Sequence, residues 1–276
     1  MDTDEPARRV SLKLGGAVRP VIGMVHLRAL PGAPTYGGSV EAIRTAALRD
    51  AEALQIGGAS ALLVENYFDA PFYPNRVPAH TVAHMTAIAS ALRQRVDLPL
   101  GVNVLRNDGR AALAVAHAAG ADFIRVNVLV GARMTDQGIL EGRAHLLARD
   151  RVQLGARQTR IFADVNVKHS APLAAYDPDQ EVEDAIVRGG ADAVIVSGAG
   201  TGKPIAAKEL QRAREAAAGA PVLVGSGVTP SSVAELAAAS GFIVGTSTKQ
   251  AGKVSEAVDP QRVRALVDAV GALANG

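Results

Sequence analysis

Val222-Leu-Val-Gly-Ser-Gly-Val-Thr-Pro230 is a short apolar run, a glycine turn and a helix start. Thr229 suits the cap of that helix, and Pro230 suits its first turn, where a missing N–H costs nothing. Gly225 and Gly227 leave the backbone bare, so an anion can approach the N–H groups at the helix end. The next apolar run, Gly241-Phe-Ile-Val-Gly-Thr-Ser247, ends in the same way. Two consecutive strands with glycine and hydroxyl residues at their carboxyl ends, late in a chain of 276 residues, point to a single (β/α)8 TIM barrel. In that fold the loops after strands 7 and 8 hold a phosphate. Gly225, Ser226, Gly227, Gly245, Thr246 and Ser247 are the phosphate-binding candidates. Lys249 or Lys253, in the following loop, can add charge. Two ordinary strand-to-helix turns would carry similar glycines.

Working outward, eight apolar runs precede helical patterns: Val21–Leu27, Ala61–Glu65, Leu98–Leu105, Phe123–Leu129, Ile161–Val167, Ala193–Ser197, Val222–Gly225 and Gly241–Gly245. Runs of this length and composition read as parallel strands buried on both faces. Ser39, Asp108, Asp177-Pro178 and Asp259-Pro260 mark helix starts. A helix-ending glycine followed by a small residue and a strand recurs at Gly57-Gly-Ala-Ser-Ala-Leu-Leu-Val64, Gly120-Ala-Asp-Phe-Ile-Arg-Val126 and Gly189-Gly-Ala-Asp-Ala-Val-Ile-Val196. The repeated unit supports a closed barrel over an open doubly wound sheet, which usually stops at five or six strands.

The composition sets bounds. Hydrophobic residues make up 48% and charged residues 20% of the chain, as expected for a soluble globular protein with a real core. The formal charge is +2 with no basic run, and aromatics are 3%, so no nucleic-acid partner is expected. The chain has no cysteine, which excludes disulfides and thiolate catalysis and fits a cytoplasmic protein. No apolar run is long enough for a membrane span. Residues 1–19 are expected as a flexible arm before a barrel domain over 20–276. Barrels often associate, so a homo-oligomer is expected, with the aromatic Tyr67–Tyr73 loop offering surface.

In a barrel of this kind the carboxyl ends of the strands carry the chemistry. They supply Met24 and His26, Glu65 and Asn66, Asn103 and Arg106, Arg125 and Asn127, then Asp164, Asn166, Lys168 and His169, and finally Ser197 and Gly198. Asp164, Asn166 and Lys168 alternate with apolar residues, so the three are expected to share one face, inside the barrel. Interior charges need partners, and Arg125 with Asp164 can be an ion pair or can meet a ligand. The catalytic candidates are Asp164, Lys168, Glu65, His26 and His169. Asn66, Asn103, Arg125, Asn127, Asn166, Ser197 and Gly198 are substrate-binding candidates. Glu65 can be a general base or a metal ligand, so a divalent metal is an option, but no cofactor signature and no dedicated metal-ligand set appear. His80 and His84 have the i, i+4 spacing without the glutamate of a zinc-protease motif. Gly198-Ala-Gly-Thr-Gly-Lys203 lacks the full phosphate-loop pattern, since Pro204 follows the lysine.

With these residues in hand, the chain resembles the BtpA family from about residue 20 to 270. The resemblance rests on Val21-Ile-Gly-Met-Val-His-Leu27 with Leu30-Pro-Gly-Ala-Pro34, and on Glu65-Asn66 with Asp69-Ala-Pro-Phe72 and Arg76-Val-Pro78. It continues through Gly101-Val-Asn103, Ala163-Asp-Val-Asn-Val-Lys-His169 with Ala171-Pro-Leu173, Ser197-Gly198, Gly225-Ser-Gly-Val-Thr229, and Gly245-Thr-Ser247 with Val258-Asp-Pro260. Tyr67-Phe68 departs from the Phe-Gly expected there. The resemblance implies a phosphate-binding TIM barrel, and a family named for photosystem I biogenesis whose other members look like uncharacterised enzymes. Two functions follow. One is an enzyme acting on a phosphorylated small molecule, a sugar phosphate or nucleotide-like compound, by lyase, isomerase or hydrolase chemistry. The other is a non-catalytic assembly or stability factor.

Overall fold

The computed structural model describes residues 12–198 and 205–273. The sheet is formed by β1 (Val21–His26), β2 (Ala61–Glu65), β3 (Leu100–Asn103), β4 (Phe123–Val126), β7 (Arg160–Asp164), β9 (Ala193–Val196), β10 (Val222–Val224) and β11 (Gly241–Val244). All pair in parallel and close in the order β1-β11-β10-β9-β7-β4-β3-β2. This is the expected eight-stranded barrel.

Side chains alternate across each strand, so one set fills the barrel and the other packs under the helices. The inner set includes Ile22, Met24, Leu63, Phe123, Phe162, Ile195, Leu223 and Ile243. Phe123 and Phe162 stack at 4.7 Å between ring centroids. Leu12 and Leu14 join this inner cluster and are buried. The part of the expected arm from Leu12 onward is therefore packed chain, because two leucines cover the bottom of the barrel. Residues 1–11 lie outside the described residues.

The outer set meets helices α1 (Val40–Gly57), α2 (Ala79–Arg95), α3 (Gly109–Ala119), α4 (Ala144–Gln153), α5 (Pro178–Glu183), α6 (Ala207–Ala216) and α7 (Pro260–Ala272). Helix α1 starts where the amide of Ala42 donates to Ser39 Oγ at 3.1 Å, and α3 where that of Ala111 donates to Asp108 Oδ1 at 2.9 Å. Ile43, Ala47, Ala51 and Leu54 form the buried stripe of α1.

Two features differ from the sequence reading. First, the segment after β10 forms turns and a 3-10 helix over Ala234–Leu236 rather than an α-helix at Thr229. Thr229 and Ser232 satisfy one another's amides locally, and that hydroxyl-rich turn replaces the cap. Second, β5 (Ala132–Thr135) and β6 (Gly138–Glu141) form a hairpin that pairs with β8 (Ser170–Pro172) in a separate antiparallel sheet. Val128, Leu140 and Val167 form a small core of their own. The Gly198–Lys203 turn lies, after Gly198, outside the described residues. Among the described residues, no helix is long and apolar enough to cross a membrane.

Candidate functional site

Register aligns the polar strand ends. His26 pairs with Glu65, Glu65 with Asn103, and Asn103 with Arg125 as neighbours on adjacent strands. Partners in register project to the same face, so these four side chains form one row above the apolar filling. Asp164 continues the row from β7. Arg125 Nε and Nη2 donate to its two oxygens, each at 2.9 Å, and Asn127 Nδ2 donates to Oδ2 at 2.7 Å. Glu65 Oε2 accepts from Asn103 Nδ2 at 2.6 Å and lies 3.9 Å from Arg125 Nη1.

The other half of the rim carries no bulk. A Cβ on Gly225 would sit 2.6 Å from Ile195 Cγ2 and 2.8 Å from Ser197 Oγ, and one on Gly245 would sit 2.8 Å from His26 Cε1. Only glycine fits either position without moving a neighbour. The halves enclose a cavity of about 820 Å³, within the usual range for small-ligand sites. Gly225, Ser226, Gly227, Gly245, Thr246 and Ser247 line it together with His26, Glu65, Arg125, Asn127, Lys168 and His169. The 3-10 helix Thr246–Thr248 opens on this wall. A groove of about 1050 Å³ on the barrel flank, between α2, α3 and α4, contains none of the candidate residues.

Burial shifts the titration of three cavity groups. Burial first, then the charges of Lys249 and Arg125, pull His26 down to about 3. Its Nδ1 is buried without a partner, and its ring lies 4.7 Å from that of Tyr67. Burial raises Glu65 above the usual carboxyl range, against the pull of Arg125 and the Asn103 hydrogen bond. Burial and then Arg125 bring Lys168 down to about 8, opposed by Asp164 and Glu65. An imidazole held low, a carboxyl pushed up and an amine brought down to about 8 share one cavity.

Several expected placements change. Asp164 does not line the cavity; it lies beneath the wall, where three donors occupy it as the counter-ion of Arg125. Asn166 is exposed and has φ of 50°, because β7 ends at Asp164 and the chain turns there. Its Oδ1 accepts from Arg133 Nη2 at 2.7 Å, in the accessory sheet rather than the barrel. Asn66 is buried in its own loop, bonded to Asp69 and to the backbone of Leu105, and Asn103 acts on Glu65 from beside the cavity. Ser197 Oγ is buried without a partner next to Gly225, and Gly198 is buried at the end of the described segment. His169 is exposed on the rim. Lys249 is turned away from the cavity, toward α1. It is almost fully buried, with Nζ 2.6 Å from Asp50 Oδ2 of α1, while Val258 N donates to Asp50 Oδ1. The pair anchors the loop from below. Among the described residues no group of three or more His, Asp or Glu side chains is placed to hold a metal ion.

The cavity wall also includes Arg106, Tyr67, Asp136 and Arg262. Arg106 stands in the sequence as another polar residue after the third apolar run. Asp136 and Arg262 carry no local signal, since a hairpin turn and a helix exterior bring them in.

A closed TIM barrel with a glycine-walled half and a charged half in one mouth is the class of protein that this fold and site define. The chain belongs to the BtpA family, whose model matches residues 17–272. It is 46% identical over 252 residues to the photosystem I biogenesis protein BtpA of Synechocystis sp., covering 91% of this chain and 88% of that one. It is 48% identical over 251 residues to an uncharacterized protein of Thermococcus kodakarensis, covering 91% and 94%. Among solved structures it resembles a thiamine phosphate pyrophosphorylase from Pyrococcus furiosus, with TM-score 0.55, 17% identity and 92% and 96% coverage. It also resembles the orotidine 5'-phosphate decarboxylase from Pyrococcus horikoshii, with TM-score 0.54, 16% identity and 91% and 99% coverage. Likeness at these identities speaks to the fold alone.

Proposed function

We propose that this chain is an enzyme that binds a small phosphorylated metabolite across the barrel mouth and carries out acid–base chemistry on it. The observation that carries this reading is the division of one cavity into a glycine-walled side, suited to an anion, and a side of buried titratable groups. The phosphate sits at Gly225-Ser-Gly227 and Gly245-Thr-Ser247, where bare backbone and hydroxyls suit an anion. The carbon chain extends toward His26, Glu65 and Lys168. Glu65, whose hold on its proton burial strengthens, serves as the proton donor, and Lys168 exchanges a proton near its value of about 8. Neutral His26 offers a hydrogen bond without adding charge. Arg125, held rigid by Asp164, faces developing negative charge. Lyase, isomerase or hydrolase chemistry fits these groups. Titratable groups with shifted values gathered in one cleft favour the enzyme reading over a scaffold role.

The experiment is a thermal-shift and calorimetric screen of sugar phosphates and nucleotides against their unphosphorylated counterparts, with hits followed by NMR for turnover. Phosphate-dependent stabilisation is expected, because a ligand of the native state raises apparent stability. No difference between any phosphorylated compound and its counterpart would sink the reading.

A second reading follows from the name of the Synechocystis relative: a non-catalytic factor in photosystem I biogenesis. Binding without turnover, together with co-purification of photosystem I subunits from a phototrophic host, would favour it. Either role is proposed for a cytoplasmic homo-oligomer, checked by fractionation and light scattering.

A further inference from the structure

We propose that the ligand carries a second anionic group, a carboxylate or another phosphate, held by Arg106 and Lys168 across the barrel from the glycine loops. The inference rests on the reading that those loops hold a phosphate.

Topology puts the two sites opposite each other. In the closed order β1-β11-β10-β9-β7-β4-β3-β2, the adjacent pair β10 and β11 faces the adjacent pair β4 and β3. Arg106 follows β3 and Lys168 follows β7. They meet above the end of β4, where Arg106 Nη2 donates to the backbone oxygen of Lys168 at 2.6 Å. Both side chains line the cavity.

Charge pairing singles these two out. Arg125 spends its charge on Asp164, which it grips with two nitrogens. Among the described residues, neither Arg106 nor Lys168 has a carboxylate within ion-pair distance, and Arg106 is only 8% exposed. Among the described residues, the Arg106 side chain hydrogen-bonds to a neutral carbonyl. Asp164, Asp136 and Glu65 attract Arg106 from farther away, and Arg125 repels it. A buried guanidinium without a counter-ion is unfavourable, so the pattern fits a cation awaiting an anion. The planar fork of Arg106 matches two oxygens of one carboxylate or phosphate, and Lys168 adds a point charge beside it.

The test is calorimetric titration of matched ligands. Phosphorylated acids of two, four and six carbons (phosphoglycolate, 4-phosphoerythronate and 6-phosphogluconate) are compared with the corresponding phosphorylated alcohols and with terminal bisphosphates. At the chain length that spans the mouth, wild type should bind a doubly anionic compound about tenfold or more tightly than its alcohol partner, a difference of about 1.4 kcal/mol. Arg106→Gln should erase that advantage, so that in the variant the double anion binds no more tightly than its alcohol partner. Lys168→Met should reduce the advantage, and it carries the test if Arg106→Gln does not fold. The preferred compound tells carboxylate from phosphate. Equal affinity for single and double anions at every chain length overturns the inference. So does an advantage that survives both substitutions. Gly227→Asp separates the two readings: unchanged binding of all ligands by that variant overturns the phosphate assignment, whereas the Arg106 comparison decides the second anion.

Discussion

Arg125 grips Asp164 through two hydrogen bonds of 2.9 Å inside the barrel, one strand apart and almost shielded from water. Breaking such a pair leaves a buried charge without a partner, which costs about 3–5 kcal/mol. Asp164→Ala should lower stability by that order in urea denaturation. Arg125→Met with Asp164→Leu should recover much of the loss, because apolar replacement of both partners removes the unpaired charge. Equal destabilisation by the single and double variants would contradict this account.

Gly225→Ala and Gly245→Ala test the close approach of backbone at the anion side. Each added methyl meets atoms at 2.6–2.8 Å. Overpacking should cost about 1–3 kcal/mol and weaken binding of phosphorylated ligands while the barrel persists. Circular dichroism and calorimetry together check this. Wild-type affinity in both variants would move the phosphate elsewhere.

His26 makes stability fall in acid. Its ordinary value is 6.5 and its folded value about 3. Between those values the unfolded chain binds the extra proton, so stability falls as pH drops from about 6.5 toward 3. The stability difference between wild type and His26→Gln should therefore shift against wild type over that window. A difference that stays flat with pH would show that His26 is protonated in the fold.

Lys168 should set an alkaline limit on the second anion. With a folded value of about 8, it loses its charge as pH rises through that region. The affinity advantage of doubly anionic ligands should decline there in wild type and be independent of pH in Lys168→Met. Calorimetry at pH 6.5 to 9.5 measures it.

Lys249→Met removes the buried cation of Asp50 and leaves it the half-exposed Arg49, 3.0 Å from Oδ1. A loss below the ~3–5 kcal/mol of a fully orphaned buried charge is expected in urea denaturation, together with weaker phosphate binding, since the loop carrying Thr246 and Ser247 loses its anchor. Unchanged binding would confine the pair to stability.

The sequence by itself determined the barrel and the rim where its polar strand ends gather. Strand, cap and turn signals are local: eight apolar runs, Ser39 and Asp108 as caps, and Gly225 and Gly245 at strand ends all read out within a few residues. Alternation also placed Arg125 and Asp164 inside. It failed at Asn166, because β7 ends two residues earlier and a left-handed turn cancels the period-2 argument. The α-helix expected at Thr229 failed because side-chain bonds between Thr229 and Ser232 compete with the helix. Tertiary structure alone decided the partners. Lys249 and Asp50 are 199 residues apart, and no local pattern distinguishes a lysine that reaches a ligand from one that anchors a loop. Likewise, only barrel closure sets Arg106 beside Lys168 and opposite the glycine turns, because the order of strands around the ring is a property of long-range pairing.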